Sequence, residues 1–190
     1  MKTLVFGSTG GIGSCVSRQL TQQGHQVVNV TRAELECSND LLEQQISDVI
    51  AQTKPDWIFN CIGTLGTNQS TYREVFDANF GSAWAIVQHY IAHPDQAVKI
   101  VLTGSAVHNQ PRRNLVLYAA SKSALHNMWQ STEDIFAGTN VHIALIHPPR
   151  VNTPMLNGRP GASLEPEYMA QVMIDLTRTM KSRTLLELGT

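Results

Sequence analysis

Short apolar runs alternate along the chain with longer stretches of helical periodicity. The apolar runs predict strands at 3–6, 26–30, 56–61, 98–102, 141–146 and 185–188. The stretches between them predict helices at 11–23, 40–52, 72–93, 117–136 and 166–180. Strands that alternate with helices form a parallel sheet covered by helices on both faces. The pattern therefore predicts a doubly wound α/β fold, and the lack of a repeat or linker predicts a single domain over residues 1–190.

Four glycines directly follow the first predicted strand, in the segment Phe6-Gly-Ser-Thr-Gly-Gly-Ile-Gly13. Glycine inside regular structure costs roughly 0.5–1 kcal/mol relative to alanine, so the cluster marks a turn or a close approach to the backbone. The amides at the start of a helix attract phosphate. The spacing of Gly7, Gly11 and Gly13 is not GxGxxG, and the lysine of a P-loop is missing. The segment by itself thus fits either a phosphate site or a tight turn.

Composition narrows the class of function. The 190 residues are 42% hydrophobic and 15% charged, with a formal net charge of −1, which disfavours a nucleic-acid partner. No run approaches the ~18 apolar residues of a membrane span, and no secretory leader is visible. The scattered Cys15, Cys37 and Cys61 are typical of a reducing compartment. Because the histidines lack metal-ligand spacing, we expect a cytoplasmic protein without a metal site.

A second group of residues carries chemistry. Ser105 follows the fourth predicted strand, and Tyr118 and Lys122 are four residues apart on the next predicted helix. Residues with this spacing share a helix face, about 6 Å apart along the axis. We expect the Lys122 ammonium to favour the Tyr118 phenolate and to lower the pKa of that phenol from about 10 toward neutral pH. Tyr118 can then act as a general acid or base, with Ser105 at the same substrate oxygen.

In this order the motifs resemble those of the short-chain dehydrogenase/reductase family over nearly the whole chain. The glycine turn resembles the family's cofactor turn, and Ser105, Tyr118 and Lys122 match its catalytic serine and YxxxK motif. Two further segments resemble its Asn-Asn-Ala-Gly strand end and its PGxVxT motif, namely Asn60-Cys-Ile-Gly63 and Pro148-Pro-Arg-Val-Asn-Thr153. The resemblance implies a Rossmann-like fold and an enzyme that moves hydride between a nicotinamide and a small substrate.

The resemblance also implies a role for each site residue. Tyr118 would exchange a proton with the substrate oxygen, and Ser105 would orient that oxygen. Lys122 would bind the nicotinamide ribose and keep Tyr118 acidic, and Asn79 would hold a water that connects Lys122 to solvent. Carried over position by position, the cofactor-binding residues are Gly7, Ser8, Thr9, Gly11, Ile12, Gly13, Thr31, Arg32, Asn60, Cys61, Ile62, Gly63, Tyr118, Lys122, Pro148, Val151 and Thr153.

The end of the second predicted strand bears on the choice of dinucleotide. Dehydrogenases that prefer NAD place an acidic residue there, whereas this chain reads Asn29-Val-Thr-Arg32. Thr31 can hydrogen-bond to a 2′-phosphate, and Arg32 can pair with it through two hydrogen bonds. We therefore expect NADP as the cofactor, with NAD as a possibility. The chain also lacks the helix that the family usually inserts between this strand and Asp40, the predicted N-cap of the next helix.

The sequence says less about substrate and assembly. Arg112 and Arg113, between Ser105 and Tyr118, suit an anionic substrate, although a solvated loop explains them more simply. Apolar stripes within 84–91 and 125–136 are typical of core packing. In members of the family, the two helices that carry these stripes often pair across a two-fold axis. The resemblance therefore implies a homodimer or homotetramer.

Two other functions fit parts of the sequence. A dinucleotide-binding regulatory or signalling protein with little or no turnover needs the glycine turn, but it does not need Asn79, Ser105, Tyr118 and Lys122 together. Reduction of a nucleotide sugar fits the short loop after the second strand, but no segment after Thr153 is long enough for the extra substrate domain. We therefore predict an NADP-dependent oxidoreductase that interconverts a carbonyl and a secondary alcohol.

Overall fold

Six parallel strands form one sheet in the order β2-β1-β3-β4-β5-β6. The computed structural model describes residues 1–31, 34–35, 41–67, 69–156, 158, 161 and 163–188. The strands are β1 Lys2–Phe6, β2 Gln26–Val30, β3 Trp57–Asn60, β4 Val98–Thr103, β5 Val141–His147 and β6 Thr184–Glu187. The helices are α1 Gly11–Gln22, α2 Leu42–Thr53, α3 Tyr72–Phe76, α4 Ser82–Ala92, α5 Val116–Ile135 and α6 Pro166–Thr179. The sheet and its helices confirm the predicted doubly wound α/β class.

The two faces of the sheet pack against different helices. Ile100 and Leu102 of β4 belong to the apolar layer under α2, α4 and α5. The residue between them, Val101, points to the opposite layer, under α1 and α6. Both faces are therefore buried, which is why the strands read as continuous apolar runs rather than as alternating ones. The aromatic and aliphatic stripe of α5, with Leu125 and Trp129, lies in the first layer and confirms its assignment to the core.

The strand register brings the segments named above to one edge of the sheet. Phe6, the last residue of β1, pairs with Val30 on one side and with Asn60 on the other. Asn60 in turn pairs with Leu102 of β4, next to Thr103. The chain leaves β1 for β2 in one direction and returns for β3 in the other. In sheets of this kind, ligands bind in the crevice beyond the carboxyl ends of the strands, at the point where the strand order reverses.

One helical prediction differs from the structure in detail. The stretch 72–93 is helical from Tyr72 to Ala92, as predicted, but it is not a uniform α-helix, because a π-helical turn at Asp77–Gly81 lies between α3 and α4. A capping box formed by Thr71 and Glu74 marks the start of α3. The predicted cap of the second helix at Asp40 lies outside the described residues, and α2 begins at Leu42. Among the described helices, none combines the length and the apolar character needed to traverse a lipid bilayer.

Candidate active site

The glycine turn connects β1 to α1 at the crevice. Gly7 has φ +73°, a conformation that side chains disfavour, and a Cβ on it would lie 2.9 Å from the carbonyl carbon of Cys61. Its N–H donates to the Val30 carbonyl at 2.9 Å, which ties the turn to the end of β2. Ser8 is buried and its hydroxyl donates to the same carbonyl at 3.3 Å, while Thr9 is exposed. The turn is thus fixed by both neighbouring strands.

Close packing brings the start of α1 against this turn. A Cβ on Gly13 would collide with the Gly7 carbonyl oxygen and would lie 2.9 Å from the Gly7 carbonyl carbon. A Cβ on Gly11 would collide with the Thr153 side chain. The N-cap residue Gly10 has no side chain to cap the first amides of α1, and Ile12 packs in the layer under α1 and α6. The start of a twelve-residue helix is thereby left open to an anion.

An acidic side chain lies at the end of β2, where the sequence predicted none. The carboxylate of Glu34 accepts hydrogen bonds from both the N–H and the hydroxyl of Thr31, each at 2.8 Å. These bonds hold the pKa of Glu34 below its usual range. Both donors of Thr31 are therefore engaged, although Thr31 was predicted to bind a 2′-phosphate. Arg32, the other predicted phosphate ligand, lies outside the described residues.

The carboxyl end of β3 is joined to its surroundings by the side chain of Asn60. Its amide donates to the Ser82 hydroxyl at 3.1 Å, and its Oδ1 accepts from the Ile62 N–H at 3.2 Å. The Thr103 hydroxyl donates to the Asn60 carbonyl at 2.7 Å, which links the ends of β3 and β4. Burial raises the pKa of the neighbouring Cys61 to about 12, so that thiol stays protonated and is not a nucleophile at neutral pH.

Asn79 lies in the π-helical turn and holds the loop that follows β3. Its side-chain amide donates to the Thr64 carbonyl at 2.8 Å, and its Oδ1 accepts from the Thr64 N–H at 3.0 Å. A Cβ on Gly63 would lie 2.9 Å from the same Oδ1 and 3.8 Å from the Nζ of Lys122. The structure therefore brings Asn79, Gly63 and Lys122 together. π-helical turns are rare and are frequent at functional sites.

The side chains of Tyr118 and Ser105 are neighbours at the crevice. Tyr118 is in the first turn of α5, and Ser105 lies two residues beyond β4. Burial raises the pKa of the Tyr118 phenol above its ordinary value, and the neighbouring Ser105 hydroxyl opposes this only in part. The expectation that Lys122 brings this pKa toward neutral pH is wrong for the structure as it stands, because burial outweighs the favourable contacts. The resting phenol is protonated.

Lys122 is buried behind Tyr118, with its Nζ 5.9 Å from the centre of the Tyr118 ring. The ammonium donates to the Thr103 carbonyl at 2.7 Å. Burial lowers the pKa of Lys122 to about 8. The spacing of four residues does place both side chains on one face, as predicted. The carbonyl of Thr103, rather than the phenol, holds the charge in place.

Three histidines lie beside Ser105, although their positions in the sequence show no ligand spacing. His108, His126 and His147 have ring nitrogens within 4.8 Å of one another. They come from the loop after β4, from α5 and from the end of β5. The lack of ligand spacing in the sequence therefore did not reveal that these histidines meet in the fold. The available signal was that Ser105 lies just after β4 and His147 ends the adjacent parallel strand β5, so that both are at the same edge of the sheet.

The segment after β5 borders the same crevice. The Pro148 carbonyl accepts the Ala106 N–H at 3.0 Å, and Val151 is buried and pairs with Leu164. In the segment that follows, residues 157, 159, 160 and 162 lie outside the described residues. On the opposite side, Arg112 and Arg113 are exposed, in agreement with a solvated loop.

Comparison with known proteins identifies the family. A family model described as short chain dehydrogenase matches residues 43–162, which include Asn79, Ser105, Tyr118 and Lys122. The chain belongs to the short-chain dehydrogenase family. It is therefore an oxidoreductase, and this membership favours an enzyme over the regulatory protein considered above. A second model, the RmlD substrate binding domain, matches residues 1–84.

Relatives and solved structures agree with this family. An uncharacterized oxidoreductase of Staphylococcus epidermidis is 25% identical over 82% of this chain and 80% of its own length. The 3-alpha-hydroxysteroid dehydrogenase of Pseudomonas sp. B-0831, solved with NADH, superposes with a TM-score of 0.86 at 18% identity, over 99% and 95% of the two chains. A short chain dehydrogenase of Burkholderia cenocepacia, solved with NADP, gives 0.82 at 14% identity, over 100% and 88%. At these identities the solved structures confirm the fold.

Proposed function

We propose that this short-chain dehydrogenase is an NADP-dependent enzyme that interconverts a carbonyl and a secondary alcohol on a small substrate. The observation that carries the proposal is that Ser105 and Tyr118 are neighbours beside the crevice, with the buried Lys122 ammonium behind the phenol. A hydroxyl pair of this kind can hold one substrate oxygen and exchange a proton with it. One domain over residues 1–190 carries both the cofactor and the catalytic residues.

The residues of the crevice fit a dinucleotide. The open start of α1 suits a pyrophosphate, and Gly7, Gly11 and Gly13 leave no side chain over it. Gly63 and Lys122 lie further along the crevice, where the nicotinamide ribose would bind. When bound, the dinucleotide supplies or accepts the hydride. Similar solved structures contain NADH, NADP or NADPH, and we keep NADP as the proposed cofactor with NAD as the alternative.

The protein's own part in the reaction is proton transfer and positioning. The Ser105 hydroxyl donates to a carbonyl oxygen, and Tyr118, a protonated phenol at rest, gives that oxygen its proton during reduction. The Lys122 ammonium then stabilises the phenolate that remains. In the oxidation of an alcohol the proton moves in the opposite direction. Asn79 holds the loop at Thr64 and thereby one wall of the crevice.

Replacement of Tyr118 by phenylalanine tests the proposal. Tyr118→Phe removes the proton donor and keeps the ring, so we expect turnover to fall by about 10²- to 10⁴-fold with unchanged NADPH affinity. The wild type is first screened with NADPH against a panel of ketones and aldehydes, and the best substrate is used for both proteins. Tyr168→Phe, on the exposed side of α6, is the matched control. Near-normal turnover by Tyr118→Phe would refute the assigned role.

We also propose that the enzyme is a homodimer or homotetramer assembled through α4 and α5, and that it works in the cytoplasm. Ile91 on α4 and Ile135 on α5 are exposed apolar residues of those two helices. Cys15 and Cys61 are free thiols, as is usual in a reducing compartment. Light scattering at micromolar concentration tests the assembly, and the mass of a single chain would contradict it.

A further inference from the structure

The proposed chemistry leaves three histidines beside Ser105 without a role. We propose that His147 positions Ser105 for the reaction, and that His126 and His108 hold His147 in place. This inference rests on the proposed function, because it takes Ser105 as the residue that orients the substrate oxygen. His147 acts through the backbone of Ser105, so it is a positioning residue rather than a catalytic one.

The first support is the contact between His147 and the backbone of Ser105. The Ser105 N–H donates to the Nδ1 of His147 at 3.0 Å. The imidazole is 1% exposed, so no water competes for this nitrogen. Gly104 makes the contact possible, since a Cβ there would lie 2.5 Å from the same Nδ1. Backbone and ring are therefore packed too closely for any larger residue at position 104.

The second support is a hydrogen bond that links His147 to the helix of Tyr118. The Ser105 carbonyl also lies 2.9 Å from Nδ1 of His147, but the Ser105 N–H is directed at this nitrogen. We therefore assign Nδ1 as the acceptor and the ring proton to Nε2. Nδ1 of His126 lies 2.9 Å from this Nε2 and accepts it. His126 is four residues after Lys122 on α5. Ser105 and Tyr118 are thereby connected through the backbone of one, two imidazoles and one helix, which limits the movement of the serine relative to the phenol.

The third support is His108, which covers the ring of His147. The two rings stack with centres 3.8 Å apart and planes 16° apart. Nδ1 of His108 lies 3.0 Å from the Ser105 carbonyl and donates to it. The N–H and the carbonyl of Ser105 are thus both held by histidines. On its other side, Nε2 of His108 lies 3.6 Å from the Glu187 carboxylate of β6.

The same three nitrogens are close enough to suggest a metal ion, and the geometry favours hydrogen bonding instead. Zinc needs imidazole nitrogens about 2.0–2.1 Å away that point to one centre. Both nitrogens of His147 are already engaged by Ser105 and His126. The stacked rings of His147 and His108 are nearly parallel, so their lone pairs do not converge on a common point. Metal binding would require these rings to rotate out of their contacts.

A set of variants tests the inference in the whole enzyme, with the best carbonyl substrate of the panel. His147→Leu removes the acceptor, and we expect kcat to fall by about 10- to 100-fold with unchanged affinity for NADPH. His147→Asn places its Oδ1 near the position of Nδ1 and should recover most of the loss. His142→Leu, on the same strand but away from Ser105, is the control and should leave kcat unchanged. In a Ser105→Ala background, His147→Leu should have no further effect.

The outcomes separate this inference from the proposed function. Full turnover by Ser105→Ala would refute the function itself. An inactive Ser105→Ala together with normal turnover of His147→Leu would refute only the inference, and so would equal losses from His147→Leu with and without Ser105. If His147→Leu does not fold, ¹⁵N spectra of the wild type decide: a proton on Nε2 of His147 supports the inference, and a proton on Nδ1 overturns it. Stoichiometric metal whose removal abolishes turnover would also overturn it.

Discussion

Glu34 places a carboxylate near the end of β2, where the ribose of the proposed cofactor would bind. Its carboxylate sits on both donors of Thr31, directly after β2. An acidic residue about 20 positions after the glycine turn holds the ribose hydroxyls in NAD-binding folds, and Glu34 is 21 residues after Gly13. A carboxylate at this place repels the 2′-phosphate of NADP. An enzyme that uses NADP must therefore offset this repulsion or move Glu34 away.

We expect Glu34→Gln to raise the affinity for NADPH relative to that for NADH by about tenfold. The change removes one negative charge and keeps the size of the side chain, and a single charge near a phosphate contributes on the order of 1 kcal/mol at a protein surface. Calorimetric titration of both cofactors measures the ratio. Glu43→Gln, an exposed change on α2, is the control. An unchanged ratio would exclude Glu34 from the ribose site, and tighter NADH binding by the wild type would overturn NADP as the cofactor.

At the level of single residues, the sequence predicted the site where one motif spans one element. Tyr118 and Lys122 share a helix face because a spacing of four fixes it. The histidine cluster could not be predicted in this way, because His108, His126 and His147 meet only after β4, α5 and β5 have packed together. The sequence pattern could not predict the raised pKa of Tyr118 either, because the burial that raises it is a property of the packed fold.

At the level of elements, the start of α1 depends on a backbone-to-backbone approach. The Cα of Gly13 lies so close to the Gly7 carbonyl that a methyl group has no room. The clash is with backbone rather than with a flexible side chain, so it can be relieved only by a shift of the helix or of the turn. A shift would also change the position of the first amides of α1, which are the proposed pyrophosphate ligands.

We therefore expect Gly13→Ala to lower the free energy of unfolding by about 1–3 kcal/mol and to weaken cofactor binding as well. The gain in helix propensity from glycine to alanine, about 1 kcal/mol, acts in the opposite direction and does not offset both losses. Urea unfolding and NADPH titration measure the two effects. Gln22→Ala, at the exposed end of the same helix, should change stability by less than about 0.5 kcal/mol. Wild-type affinity in Gly13→Ala would contradict the close approach.

The π-helical turn is the place where the hydrophobic periodicity of the sequence does not predict the observed helix geometry. The stretch 72–93 has the periodicity of one long helix, and that prediction is correct for α3 and α4 separately. The extra residue of the turn at Asp77–Gly81 changes the phase between them. Asn79 sits in that turn and bonds twice to Thr64. Hydrophobic periodicity alone did not reveal the inserted residue, because the segments on both sides of it are helical.

At the level of the whole molecule, the order and direction of the strands bring the residues of the site together. The carboxyl ends of β1, β3, β4 and β5 meet at one edge because every strand is parallel. The alternation of strands and helices predicted this class of fold, and with it the meeting of the glycine turn and Ser105. The alternation does not determine how deeply each side chain is buried. Lys122 lies almost entirely inside the fold, at 3% exposure.

The buried ammonium of Lys122 makes the stability of the cofactor-free enzyme depend on pH. Its pKa is about 8 in the folded chain, against an ordinary value of 10.5. Below pH 8 both states are protonated, and the folded state bears the full cost of the buried charge. Between about pH 8 and 10.5 the unfolded state binds the proton more tightly, so the contribution of Lys122 to stability rises with pH. Above 10.5 the cost is gone.

Lys122→Met removes this charge and keeps the length of the side chain. Relative to the wild type, we expect the variant's stability advantage to decrease by about 3 kcal/mol from pH 7 to pH 10.5, the value of a pKa shift of this size. The unpaired Thr103 carbonyl adds a loss that does not change with pH. Urea unfolding across this range measures the difference, and Lys181→Met, an exposed lysine, should run parallel to the wild type. Parallel curves for Lys122→Met would mean that this ammonium is solvated in solution, and the arrangement of charge behind Tyr118 would then be different from the one described.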